Sequence, residues 1–201
     1  PTWVPFCREL WSSAEQQQNY LPGVPEGSDL CITPVSAPEN HYVRIKADNR
    51  LDADGTLRGT FTLTAEGQSD SNIRRIFTTG FRSEWKNTME SQLLAISPKA
   101  KLLSVDYGKN PKDYQAAPIK ITFRYEIPDY ALKGEKEMFF RPLVMNNLYN
   151  QVRSYLRIDT SLKERKYGFK DGCSRLVELD ETIQLPAGYK LANADKNETM
   201  Q

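Results

Sequence analysis

Few side chains in this sequence could do nucleophilic or metal chemistry. The whole supply of soft or basic ligands is one histidine, His41, and three cysteines, Cys7, Cys31 and Cys173. A hydroxyl or thiol becomes a strong nucleophile near neutral pH beside a base, so any Cys-His or Ser-His mechanism has to use His41. Cys31 lies ten residues upstream of it across "TPVSAPEN", and a Cys31 thiolate paired with His41 is the one arrangement open to a cysteine hydrolase. The plainer reading is that His41 begins a half-exposed strand. No CxxC or HxxxH spacing occurs, so no zinc site is expected. Three widely spaced cysteines make no disulfide framework, although an oxidising compartment would permit a single Cys7–Cys31 bridge.

The acids and glycines are equally reserved. Asp52 and Asp54 in "LDADG" are ordinary turn formers, whose side chains bond nearby backbone N–H groups. Asp180 and Glu181 are adjacent on a strand and so point to opposite faces, which keeps them from converging as an acid/base pair. "GKNPKD" and "GFKDG" lack the strand-to-helix setting of a phosphate cradle. Aromatics outside the clear strands (Trp3, Trp11, Tyr20, Tyr114, Tyr130, Tyr149, Tyr155) could form a stacking platform for sugars or peptides, but anchoring irregular segments is their commoner use. No catalytic residue, metal ligand or cofactor is therefore expected in this chain.

The elements that would position these groups divide into two regions. Residues 1–40 hold six of the twelve prolines and a polar stretch, "SSAEQQQN", and read as an extended segment crossing a surface, with a short strand in "LCITPV". From His41 the pattern turns regular. "HYVRIKAD" and "TLRGTFTLTAEG" alternate with period 2 around the turn "LDADG", which predicts a hairpin. From Asp70 to Ser97 the period changes: Ile73, Phe77, Phe81, Trp85, Met89, Leu93 and Ile96 recur at steps of three and four. This predicts one long helix, or two if Gly80 breaks it, capped by Asp70 or Ser71 and ended by Pro98. Strands follow at 101–108, at 119–127 with a solvated opposite face, at 136–145 as an edge strand broken by Pro142, and within 173–191. Residues 146–159 read as a short helix or a loop. The expected fold is α+β, a mainly antiparallel sheet or sandwich of six to seven strands with one long helix packed on a face.

Charge and hydropathy exclude some partners. The 27 basic residues nearly balance the 26 acidic ones, and no basic block exceeds the short "KERK", so a nucleic-acid surface is not expected. No apolar run approaches the length of a membrane span. The sequon at Asn197 carries little weight as a chance match.

The first residues add a resemblance. "PTWVPF…YLPGVPEGSDLCITPV" is similar to the end of a transglutaminase-like core of bacterial envelope proteins, where the strand bearing the third catalytic residue reads Asp-Pro-Thr and a Pro-rich passage leads out. Pro1 and Thr2 match the last two residues of that motif. "LRGTFTLTAEGQSDSNIRRIF" and "ERKYGFKDGCSRLVELDETIQLPAGYKL" resemble the opening and closing patterns of the domain of unknown function that follows such cores, with Gly168 where that pattern often has Pro. The resemblance implies that residues 1–40 run out of an upstream core, that 41–192 form a β-rich accessory domain, and that 193–201 are a polar tail. It also implies that the family's Cys, His and Asp lie upstream, that this chain is non-catalytic, and that it belongs to a secreted or periplasmic protein. Its partners would be the core of the same polypeptide and a protein or peptide substrate. The rival expectation is an independent glycan- or peptide-binding module using the loop tyrosines.

Overall fold

The computed structural model describes residues 16–113, 118–144, 163, 164, 166–168 and 174–192. The first region forms an arm closed by two short strands, β1 (Asn19–Tyr20) and β2 (Cys31–Ile32), which pair antiparallel. Gln17 N donates to Thr33 O and Thr33 N to Gln18 O, both at 2.9 Å, and Ser36 N donates to Gln16 Oε1 at 2.8 Å. Trp3, Phe6, Cys7 and Trp11, expected to pin this region, lie outside the described residues. A 3-10 turn, Pro38–His41, then leads into the sheet.

The predicted hairpin is present as β3 (Val43–Leu51) and β4 (Leu57–Ala65), in register along its full length. Its burial alternates residue by residue along β3, as period 2 requires of a sheet with one covered face. Two helices follow, α1 (Gly67–Thr79) and α2 (Trp85–Ile96), then β5 (Lys101–Asp106), β6 (Ile119–Ile127), the two-residue strands β7 (Leu132–Lys133) and β8 (Met138–Phe139), and β9 (Val177–Gln184). The five-stranded sheet has the order β5-β6-β4-β3-β9. Both helices lie on one face of it, where Ile73, Phe77, Trp85, Met89 and Leu93 pack over Val43, Ile45, Phe61, Ile121 and Phe123. Phe61 and Phe123 stack across β4 and β6 with ring centroids 4.4 Å apart. The α+β class holds.

Three expectations need correction and one a refinement. The sheet is mainly antiparallel but mixed, because β9 runs parallel to β3 with Val43 opposite Val177 and Ile45 opposite Leu179. Alternation states which face a strand buries and is silent on its direction. The sheet also stands alone among the described residues, joined only by the two-stranded β1-β2 and β7-β8 ribbons, in place of a sandwich. The long helix is two: at Gly80 the backbone turns extended, Phe81 swings out to 77% exposure, and a 3-10 turn at Arg82–Glu84 restarts the chain into α2. The edge strand expected at 136–145 shrinks to Met138–Phe139, with Pro142 following it. The segment 146–159 lies outside the described residues.

The opposite face of the sheet is polar and carries cross-strand pairs of the kind that stabilise a solvated surface. Arg44 on β3 pairs with Glu178 on β9, and Arg58 on β4 with Glu126 on β6 at 3.0 Å and with Asp52. Thr62 and Thr122 share a hydroxyl hydrogen bond at 3.1 Å.

Candidate functional site

His41 is a structural group. It is buried at the end of the 3-10 turn, and its Nδ1 accepts the backbone N–H of Gln68 at 3.0 Å. That bond satisfies one of the donors a helix leaves open in its first turn, so a side chain 27 residues upstream serves as the cap of α1. Asp70 and Ser71, the expected caps, lie inside the helix. Ser69 Oγ donates to the His41 carbonyl at 2.9 Å and not to the imidazole. Cys31 sits on β2, half-buried, with its thiol 3.7 Å from Asp29 O; the structure does not join it to His41. Cys173 and Cys7 lie outside the described residues. Among the described residues no cluster of three His, Cys, Asp or Glu side chains forms a metal-binding group.

Two buried polar clusters take the place of a catalytic constellation. Beneath α1, Arg74 Nε meets Asp70 Oδ2 at 2.6 Å with both side chains almost fully buried. Arg74 Nη1 donates to Pro111 O at 2.8 Å and to Asp113 O at 3.0 Å, while Asp70 Oδ1 accepts Ile119 N. The pair thereby ties the helix to the loop and strand on either side of residues 114–117. It sits among backbone partners with no described cavity beside it, so its role is to hold elements in place.

The second cluster was not legible in the sequence. Glu181, on the inward face of β9, accepts Leu143 N at 3.0 Å and Asn49 Nδ2 at 2.8 Å on one oxygen, and Val144 N at 2.8 Å on the other. Tyr125, fully buried, donates to Asn49 Oδ1, and Tyr130 donates to Arg141 O. Burial first, and the nearby Glu181 carboxylate second, push both phenols well above the usual tyrosine range. With both carboxylate oxygens accepting from these donors, Glu181 anchors backbone. Asp180 points the other way, as alternation requires. Asp54 also behaves as a turn former: the Thr56 N–H at 2.9 Å holds its carboxyl below the ordinary range.

What remains are surfaces. By fixing Leu143 and Val144, Glu181 positions one wall of an open groove of about 710 Å³, lined there by Met138, Phe139, Phe140 and Pro142. The continuation of β9 supplies the other wall with Leu185, Pro186, Tyr189 and Leu191, and Lys136, Glu137 and Lys190 add charge. Of the loop tyrosines expected to form a platform, Tyr114, Tyr149 and Tyr155 lie outside the described residues, Tyr20 is on the arm, and Tyr130 is tied to Arg141. The groove aromatics are different residues, hidden in the sequence inside what read as a strand and a turn.

The arm is the second surface. Leu21, Leu30 and Ile32 are 65%, 70% and 65% exposed, and Tyr20, Val24 and Val35 are exposed with them. Scattered single apolar residues on a surface are ordinary, but six exposed within sixteen residues of one segment are a dense run.

No helix among the described residues is long and apolar enough to cross a membrane. Compared with protein-family models, with curated proteins and with solved structures, the chain gives no match in any of the three.

Proposed function

We propose that this chain is the non-catalytic C-terminal accessory part of a secreted or periplasmic transglutaminase-like protein, and that its arm docks on a preceding core. The observation that carries the reading is the run of exposed apolar residues Tyr20, Leu21, Val24, Leu30, Ile32 and Val35 on an arm closed by two short strands. Apolar side chains exposed at that density favour a protein contact. The choice of core rests on the resemblance of residues 1–35 to the end of a transglutaminase-like core and of 57–77 and 164–191 to the domain that follows such cores. The placement of His41, the chain's only imidazole, as a helix cap adds support, since its Nδ1 has a structural use.

Two experiments test this. The coding sequence before Pro1 should encode an Asp next to it and a Cys and a His further upstream; a start codon or a signal-cleavage site there would contradict the reading. In the longer protein, Leu21→Ser with Ile32→Ser should loosen the arm and make it a site of limited proteolysis, with no effect on the sheet.

A second reading, a glycan- or peptide-binding module, draws on the groove, whose volume lies in the range of small-molecule sites and whose walls carry Phe139, Phe140 and Tyr189. Glycan and peptide arrays with the wild-type chain and Tyr189→Ala test it; no binding by either would remove it.

A further inference from the structure

The helix-covered face of the sheet is incompletely filled. A cavity of about 110 Å³ lies between α1, α2 and strands β3, β4 and β6. Ile45, Phe61, Ile73, Leu93, Ile121 and Phe123 are among its walls, and Gln92 is the single polar residue lining it. The space reaches toward solvent where its lining is itself accessible: Gln92 is exposed, and Leu63, Ile76 and Ile96 are half-buried.

We propose that this cavity is a binding site for a compact hydrocarbon group of about the size of one benzene ring. Two arguments carry the assignment. The first is polarity. A water molecule inside a protein needs two or more hydrogen-bond partners, and walls of aliphatic and aromatic side chains offer none away from Gln92, so water that enters from the open side is poorly held. The second is size. An engineered apolar cavity of about 150 Å³ in another protein takes up benzene or xenon, and the present volume is of the same order. Displacing poorly held water from a preformed apolar space costs little and needs no rearranged backbone when an apolar guest enters. A guest gains contact with wall atoms that otherwise face a void, which is the dispersion attraction that close packing supplies elsewhere in a core. Polar or charged ligands are excluded, because nothing in the walls would replace their hydration.

The site is independent of the arm and of the groove, so its test does not depend on the accessory-domain reading. Methyl-labelled protein should be titrated with benzene and followed by NMR. Saturable shifts confined to methyls of Ile45, Ile73, Leu93 and Ile121, with Leu57 and Leu143 unmoved, are expected; these last two are buried away from the cavity. Ile76→Trp should weaken the binding tenfold or more by filling the space from its rim, and Leu63→Trp serves the same purpose from the sheet if the first variant does not fold. Xenon should shift the same methyls. Absence of any saturable shift up to the solubility of benzene, or shifts spread evenly over all core methyls, overturns the proposal whatever the variants do.

Discussion

Replacing Asp70 by Ala isolates the contribution of the buried ion pair under α1. The carboxylate meets Arg74 at 2.6 Å and also accepts Ile119 N, and both charged side chains are about 97% removed from solvent. Deletion of the carboxylate leaves the buried guanidinium without its paired charge and deprives a buried strand amide of its acceptor. Breaking a buried pair in this one-sided way costs about 3–5 kcal/mol. A domain of this size is stable by about 5–15 kcal/mol, so the variant should lose about a fifth or more of its stability. Urea denaturation followed by the fluorescence of the buried Trp85 measures it, with the midpoint falling and the slope unchanged. Asp70→Asn, which keeps an oxygen for Ile119 N, should cost less. The double replacement Asp70→Leu with Arg74→Met should recover most of the loss, since no charge is then left buried. A loss below about 1 kcal/mol for Asp70→Ala, the range of a surface substitution, would refute the claim that the pair is a buried tie.

Three further outcomes are expected. Gly67→Ala should destabilise by more than about 1 kcal/mol in thermal melts, because Gly67 has φ +60° and a Cβ there would come within 2.2 Å of Asn40 O and 2.3 Å of His41 Nδ1. Glu181→Ala removes a charged acceptor from two backbone amides and from Asn49, each bond worth about 1.5–3 kcal/mol; faster amide exchange at Leu143 and Val144 should report it, along with a broadened Phe139 signal. Tyr125 and Tyr130 have folded pKa values raised by burial, so the stability they contribute is complete below the unfolded value near ~10 and is lost as pH rises through and beyond it. In alkali these two phenols should ionise only as circular dichroism is lost; ionisation of every tyrosine in the folded protein near pH 10 would contradict their placement.

The sequence was most informative where structure is local. Alternation in 41–48, 56–67 and 119–127 identified three strands and the face each buries, and the steps of three and four located the helical region. Where a distant group decides, the pattern was blind. α1 begins three residues before Asp70 because His41 caps it from outside, and Asp70 is spent on Arg74 and on an amide 49 residues away. Phe81 keeps the helical spacing yet faces solvent, because the break at Gly80 resets the phase. β9 shows the alternation expected of it, but its parallel pairing with β3 is set by the path of the chain. Glu181 is the instructive case among the candidate groups: alternation placed it opposite Asp180, and only the arrival of Leu143 and Val144 explains why an acid stands on the inner face.

The proposed docking of the arm is tested most directly by amide hydrogen exchange over residues 17–36, measured in this chain alone and in a longer protein that carries the proposed preceding core. Exchange slowed at least tenfold around Leu21, Leu30 and Ile32 in the longer protein, with β3 and β4 unchanged, is the predicted result. Equal exchange of the arm in both proteins would contradict the account.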